Sequence, residues 1–231
     1  MVPGPFLFSF LYALIVYFDI VAKADRKVKT IYFHHCWVDS RRGNDYNYEV
    51  NAKKKDFMIK KTLWITQTAV LTALLVLLQS VTKAGGQFLT GSCVNAVLGV
   101  AVLYSGLWSG VTVAVISPFL AYALGIGPQI VPVIPAIAVG NAVYVLVLYF
   151  LCFHEKFAGW RQWIGWICAA LCKFLALYFL VAQLLCRVLP LAEKQIATLT
   201  AMFSWPQLVT ALIGGVIALL IVPVLRKSFR R

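Results

Sequence analysis

The sequence predicts an all-α integral membrane protein with six transmembrane helices. Of its 231 residues, 61% are hydrophobic and only 13% are charged, a balance typical of a chain that crosses a bilayer several times. Long apolar runs alternate with short polar breaks, as expected for a multi-span protein. The basic residues behind the net charge of +13 cluster at the edges of these runs, which indicates cytoplasmic loops and not a nucleic-acid-binding surface.

The first span is predicted at residues 62–81, which carry no charge and follow Lys60 and Lys61. A basic flank of this kind usually stays in the cytoplasm. Within the span, Ala69 and Ala73 are four residues apart, so they share one face of the helix. Two small residues at this spacing allow a second helix to approach closely, either a partner's helix or another helix of the same chain.

Five further spans follow. Residues 84–153 carry no charged side chain, a length that accommodates three helices of about 20 residues with their turns. Glycine-containing breaks at residues 106–110 and 125–128 separate these helices, and polar loops are predicted at residues 84–92 and 187–204. The predicted spans lie at residues 93–107, 109–124, 130–152, 163–185 and 207–225.

The loop charges predict that both ends of the six-span core face the cytoplasm. Basic residues accumulate on the cytoplasmic side of membrane proteins. With Met58 inside, the inner loops and ends hold most of the basic residues of the core. The inner set is Lys60, Lys61, Lys156, Arg161, Arg226, Lys227, Arg230 and Arg231, against Lys83, Arg187 and Lys194 outside.

Residues 1–57 differ in character from the core at residues 58–231. Residues 5–22 are apolar enough for an additional N-terminal hydrophobic helix, and residues 23–56 are polar and of mixed charge. One interpretation is an extra helix followed by a flexible cytoplasmic loop. The interpretation that we favour is an upstream extension of the reading frame, with the working protein starting at Met58, because Met-Ile-Lys-Lys resembles the start of a bacterial membrane protein.

Polar side chains within the spans are the candidate binding residues, since each is costly in lipid. Lys173 lies near the middle of the fifth span, and the alanines on its face indicate that this side packs against protein. Its ammonium group either faces an acidic group of a ligand, or snorkels or caps backbone carbonyls. Asn95 and Asn141, in the second and fourth spans, either bind a ligand or join helices by hydrogen bonds.

The sequence predicts no catalytic residues, no metal and no cofactor in this chain. It lacks the phosphate-binding motif G-x-x-x-x-G-K-[ST] and the hydrolase motifs H-E-x-x-H and G-x-S-x-G. From residue 84 onward its only carboxylates are Glu155 and Glu193, both in loops. The triplet at residues 34–36, His-His-Cys, lacks a second pair of metal ligands. The six cysteines are typical of small apolar packing residues and form no recognisable disulfide pattern.

Four sequence stretches together resemble a known family. They are AVLTA in the first span, GSCVNAVLGVAVLYSGLWSGVTVAVISPFLAYALGIGP, IPAIAVGNAVY, and FSWPQLVTALIGGVIALL with a basic tail. Their order and spacing over residues 58–231 are similar to those of the substrate-binding S-components of energy-coupling factor (ECF) transporters, a class of ABC importer. The resemblance covers none of residues 1–57. It implies a six-helix S-component-like bundle in a bacterial cytoplasmic membrane.

The resemblance also implies a function and partners. The chain would bind a vitamin or related micronutrient from outside with high affinity, and would associate with a transmembrane coupling subunit and two cytoplasmic ATPases that use the ATP. Ala69 and Ala73 would dock onto the coupling subunit. The pocket would be closed by the loop after the first span and lined by the last three helices. The candidate binding residues are Gln87, Asn95, Asn141, Tyr144, Lys173 and Trp205. The alternatives are a membrane-embedded enzyme and a structural membrane protein without a ligand.

Overall fold

A computed structural model describes residues 45–152 and 160–229, and this part of the chain consists of helices and turns. The chain forms two units. One comprises Met1–Gln67 with Pro223–Arg231, and the other comprises Thr68–Val222. The candidate site lies within Thr68–Val222.

Seven helices, which we number α1 to α7, organise the described residues. Wide π-helical turns extend α2 through Ala101–Ser105 and α5 through Tyr178–Leu185, and the helical turn Cys186–Val188 follows the second of them. The helices are α1 Asp45–Thr82, α2 Gly86–Val100, α3 Leu107–Ala123, α4 Val133–Cys152, α5 Trp160–Leu177, α6 Glu193–Met202 and α7 Trp205–Phe229.

Several of these helices are suited to a membrane. Within the described residues, four helical stretches are long and apolar enough to cross a bilayer. They are Lys61–Ser105, Val133–Cys152, Trp160–Val188 and Glu193–Lys227, and Leu107–Ala123 is a shorter apolar helix. The 45-residue stretch Lys61–Ser105 contains α1 from Lys61 onward and all of α2. The chain is therefore a multi-pass membrane protein, and the count of six spans stays a prediction.

The glycine-containing breaks fall where the sequence predicts them. Gly106 separates the end of α2 from α3 with a φ angle of 95°, and Gly125 and Gly127 have φ angles of 67° and 83° between α3 and α4. Backbone in this left-handed region favours glycine, because a Cβ atom would be strained there. The predicted division of the second, third and fourth apolar segments is confirmed.

The predicted loop at residues 84–92 is wrong for most of its length. Only a short 3₁₀ turn at Lys83–Gly85 and the positive φ angle of Gly86 interrupt the helical run, and α2 already begins at Gly86. The small polar residues that suggested a loop bond to the main chain instead. Thr90 Oγ1 donates to the Thr82 carbonyl at 3.0 Å, and Ser92 Oγ donates to the Phe88 carbonyl at 2.7 Å.

The connection predicted at residues 187–204 contains a helix, α6, that the sequence did not reveal. It is short and carries a charged pair at its start, so its apolar periodicity is weak. The Gln195 side chain accepts a hydrogen bond from the Ala192 amide at 3.2 Å and caps the first turn. Leu199 and Phe203 are buried in a cluster with residues of α4 and α5, which fixes α6 against these helices.

The N-terminal segment is described only in part. Residues 45–57 are helical and continuous with the first apolar segment, so the interpretation of a flexible loop does not hold for them. The additional hydrophobic helix predicted at residues 5–22 and the triplet at residues 34–36 lie outside the described residues.

Candidate functional site

A cavity of about 260 Å³ lies among the helices of Thr68–Val222. Residues from α1 to α5 contribute to its wall, together with the turn between α3 and α4 and the junction of α6 with α7. The lining is largely apolar with a limited number of polar side chains, as is usual for small-molecule sites. Its polar side chains are Gln79, Lys83, Gln87, Thr90, Asn95, Ser117, Tyr122, Asn141, Lys173 and Gln207.

Lys173 is the buried charge of this cavity. Its side chain is only 2% exposed, and its ammonium group donates to Asn95 Oδ1 at 2.5 Å and to Asn141 Oδ1 at 2.7 Å. The ammonium nitrogen also lies 5.4 Å from the centre of the Tyr144 ring, within the range of a cation–π contact. The sequence-based interpretation of a snorkelling lysine is therefore wrong, because a snorkelling side chain holds its charge in water.

Asn95 connects the lysine to the last helix. Its Nδ2 group donates to Thr210 Oγ1 at 3.4 Å, and the Thr210 hydroxyl donates to the Gln207 carbonyl at 3.1 Å. Asn95, Asn141 and Thr210 are all nearly fully buried. A buried polar chain of this kind is stable only when its members are paired. The network therefore fixes α2, α4, α5 and α7 in one register around the cavity.

Small residues allow the helices to approach closely enough for these bonds. At Gly214 in α7, a Cβ atom would lie 2.5 Å from the Asn95 Cβ and 2.6 Å from the Ser92 carbonyl oxygen. At Gly140 in α4, it would lie 2.5 Å from Leu177 Cγ. A small residue that lets two helices approach closely is typical of membrane helix pairs. They place Asn95 and Leu177 at the cavity wall.

The charged side chains that line the cavity are all positive in the described residues. Among the described lining residues, the charged side chains are Lys83 and Lys173, and there is no carboxylate or histidine. Lys83 lies at an exposed position and donates to the Gly125 carbonyl at 2.7 Å. Lys173 is buried, so its charge is the less screened of the two.

Two further polar groups at the cavity have no hydrogen-bond partner. Ser117 Oγ and Gln79 Oε1 are buried atoms without a partner in the described part of the protein. Both residues line the cavity, and Ser117 is 1% exposed. Because buried polar atoms in folded proteins are nearly always paired, these atoms are suited to bind a polar molecule in the cavity.

Hydrogen bonds join the junction of α1 and α2 to other elements of the cavity wall. The side-chain amide of Gln87, in the first turn of α2, donates to the Met202 carbonyl at the end of α6, and Lys83 donates to the Gly125 carbonyl in the turn after α3. Thr82 Oγ1 at the end of α1 lies 3.1 Å from Thr90 Oγ1 in α2. The junction is thus tied to α6 and to the turn after α3 by side-chain hydrogen bonds.

The structure brings together four of the six candidate binding residues. Gln87, Asn95, Asn141 and Lys173 line the cavity. Tyr144 is fully buried and contacts Lys173 through its ring.

Trp205 lies apart from this group. It is 63% exposed, its ring centre lies 5.5 Å from the ring centre of Phe88, and it is not among the lining residues.

Sequence reasoning missed the lining residues Ser117, Gln79 and Gln207. Ser117 could have been found from the sequence, because a polar side chain is costly in an apolar helix and therefore marks a candidate site.

The two alanines of the first span lie on an uncovered face. Ala69 and Ala73 are exposed, and Leu77 one turn further is 60% exposed. The opposite face of α1 is buried, with Leu71 and Leu75 both at 0% exposure. Among the described residues, the small-residue pair of α1 therefore lies on the side of the helix away from these buried leucines.

The described cysteines and acidic residues form no metal site. No group of three metal-binding side chains occurs in residues 45–152 and 160–229, and the five cysteines found there are free.

The comparison with known families agrees with this architecture. The family model for the substrate-specific component of ECF transporters matches residues 63–226. No curated protein and no solved structure matches the chain. The family match covers well over half of the sequence, including every helix that lines the cavity. The chain therefore belongs to the substrate-specific components of ECF transporters.

Proposed function

We propose that this chain is the membrane-embedded, high-affinity binding subunit of an ECF-type ABC importer. It captures a vitamin or related micronutrient from outside a bacterial cytoplasmic membrane, with both ends of residues 58–231 in the cytoplasm. It delivers this molecule through a transmembrane coupling subunit, and two separate ATPases supply the energy. The chain itself holds no cofactor and performs no catalysis.

The observation that carries this proposal is the largely apolar cavity with its buried polar network. Its volume of about 260 Å³ lies just below the usual range of small-molecule sites, which is ~300–1,000 Å³. An ion pathway or a packing defect does not require a fixed network of Lys173, Asn95 and Asn141. A binding site does require such a network, because ordered polar groups orient a ligand before it arrives.

The exposed face of α1 supports the proposed partner. Ala69 and Ala73 present small side chains where a neighbouring helix can approach to backbone distance. Membrane helices associate through close packing of this kind, since apolar burial alone gives them no advantage over lipid. We therefore assign this face to the coupling subunit.

Purification from the native membrane tests the proposal directly. The tagged chain is expected to co-purify with a second membrane protein and two ATPase polypeptides, and the assembled complex should hydrolyse ATP while the isolated chain does not. Mass spectrometry of denatured samples should detect a small organic molecule released from the isolated chain. An isolated chain with no bound small molecule, and no ATPase partner, would contradict the proposal.

The bond between Gln87 and the Met202 carbonyl gives a kinetic prediction. Replacing Gln87 with alanine removes one neutral hydrogen bond, typically about 0.5–1.5 kcal/mol, from the junction of α1 and α2, which covers the cavity in the proposed function. We expect the co-purified molecule to dissociate roughly three- to tenfold faster from the variant, because the cover opens more readily.

A neighbouring glutamine provides the control. Gln129 is exposed, bonds only within its own turn, to the Gly127 carbonyl at 3.4 Å, and does not line the cavity. Gln129→Ala should therefore keep the wild-type dissociation rate, measured by rapid dilution and filtration. Equal rates for Gln87→Ala and wild type would show that this bond does not hold the cover.

A further inference from the structure

The buried cation of the cavity is only partly neutralised by its surroundings. An ammonium group has three donors, and Lys173 uses two of them on the neutral side-chain oxygens of Asn95 and Asn141. In the described residues no carboxylate lines the cavity or forms an ion pair with Lys173. A buried charge of this kind is stable when an opposite charge reaches it.

The surroundings of Lys173 fix where that opposite charge would lie. The two asparagines hold the ammonium group in place, and the face of the Tyr144 ring lies on one side of it at 5.4 Å. Lys173 is itself part of the cavity lining. The donor that the asparagines leave unused is therefore available to a molecule in the cavity.

The number of charges limits the number of anionic groups. One buried cation neutralises one negative charge, and a second buried negative charge would remain unpaired at a large cost. Lys83 does not change this count, because it is exposed and already bonds to the Gly125 carbonyl. A carboxylate carries one negative charge, whereas a phosphate monoester carries nearly two at neutral pH. The charge count therefore favours a carboxylate.

The unpaired atoms of Ser117 and Gln79 indicate what else the molecule carries. Ser117 Oγ can both donate and accept a hydrogen bond, and Gln79 Oε1 accepts one. Hydroxyl or amide groups of the bound molecule would pair these atoms. The apolar remainder of the wall, including Pro118, Ile134 and Ile137, suits a compact carbon framework.

We infer that the substrate is a small organic monoanion, with one carboxylate on Lys173 and at least one hydroxyl or amide group that pairs with Ser117 and Gln79. This inference rests on the proposed binding function and narrows it to one chemical class. The volume of about 260 Å³ further favours a compact molecule.

The test uses yeast extract as a source of micronutrients, separated by ion exchange into anionic, neutral and cationic pools. Thermal stabilisation of the purified full chain is measured with each pool. We expect the anionic pool to stabilise the protein. Converting carboxylates in this pool to amides with carbodiimide and ammonia should abolish the stabilisation, whereas phosphatase treatment should leave it intact.

Variants then test the role of Lys173. In Lys173→Met, the amount of anionic pool needed for half-maximal stabilisation should rise roughly ten- to a hundredfold, the typical effect of losing a hydrogen bond to a charged group. Asn141→Asp keeps the lysine and supplies an internal counter-charge at the position of the 2.7 Å bond. It should fold and lose the response to the anionic pool, which separates neutralisation of the charge from loss of the fold.

Lys194→Met serves as the matched control, since Lys194 is exposed on α6 and does not line the cavity. It should keep the wild-type response. Stabilisation by the neutral or cationic pool would overturn the inference while leaving the binding function intact. Sensitivity to phosphatase instead of carbodiimide, or an unchanged response in both Lys173→Met and Asn141→Asp, would overturn it as well. Stabilisation by no pool would contradict the binding function itself.

Discussion

Replacing both Ala69 and Ala73 with leucine is expected to abolish uptake and to leave small-molecule binding by the isolated chain unchanged. The two alanines lie on the exposed face of α1, opposite the buried Leu71 and Leu75. Two leucine side chains would hold a partner helix away from the close contact that small residues permit. Uptake of the co-purified molecule is measured in cells that contain the complete transporter, and binding is measured on the purified chain.

The control for this pair is Ala197→Leu, which makes the same change at an exposed helical position of α6. It should leave both uptake and binding at the wild-type level. Normal uptake in the Ala69→Leu, Ala73→Leu double variant would exclude this face as the docking surface. Loss of binding by the isolated double variant would instead place the alanines in the internal packing of the chain.

Replacing Gly214 with alanine should destabilise the protein and disrupt its binding site together. The new Cβ atom would meet the Asn95 Cβ at 2.5 Å and two backbone atoms of α2, the Ser92 carbonyl oxygen at 2.6 Å and the Ala96 nitrogen at 2.7 Å. Backbone cannot rotate away as a side chain can, so α2 and α7 must separate. Overpacking of this kind typically costs about 1–3 kcal/mol.

The separation would also move Asn95, which accepts a hydrogen bond from Lys173. We therefore expect the Gly214→Ala variant to unfold at a lower temperature in detergent and to bind the co-purified molecule less tightly. Gly91→Ala is the graded comparison, because the three atoms nearest to its Cβ all belong to the Thr210 side chain, at 3.0–3.1 Å. A Gly214→Ala variant as stable as Gly91→Ala would contradict the close approach of α2 and α7.

The sequence predicts the helical class, the apolar segments and their breaks because these depend on local composition. Glycines at positions 106, 125 and 127 mark the breaks through backbone geometry alone. α6 escaped prediction because a short helix with a weak apolar period resembles a loop in composition. The loop expected at residues 84–92 failed for a related reason: its small polar side chains bond to the main chain inside a helix.

The candidate site was predictable residue by residue, but not as an arrangement. Lys173, Asn95 and Asn141 each stood out as polar groups in apolar segments, and the alanines beside Lys173 correctly placed it against protein. Both asparagines bond to the same lysine only because three helices pack in the right register. Along the chain, Lys173 is 78 residues from Asn95 and 32 residues from Asn141. Trp205, which the family resemblance implied as a lining residue, lies outside the cavity lining.

The pairing of Lys173 with two asparagines has a consequence for how the protein is made. A lysine at the centre of a bilayer costs about 2.5–3.5 kcal/mol on insertion scales. Asn95 and Asn141 both precede Lys173 in the chain, so their helices are synthesised first. When α5 leaves the ribosome, its charge can therefore meet two amides that already lie in the membrane, and it need not enter lipid alone. In this order of synthesis, the helices made first carry both acceptors that Lys173 uses in the folded protein.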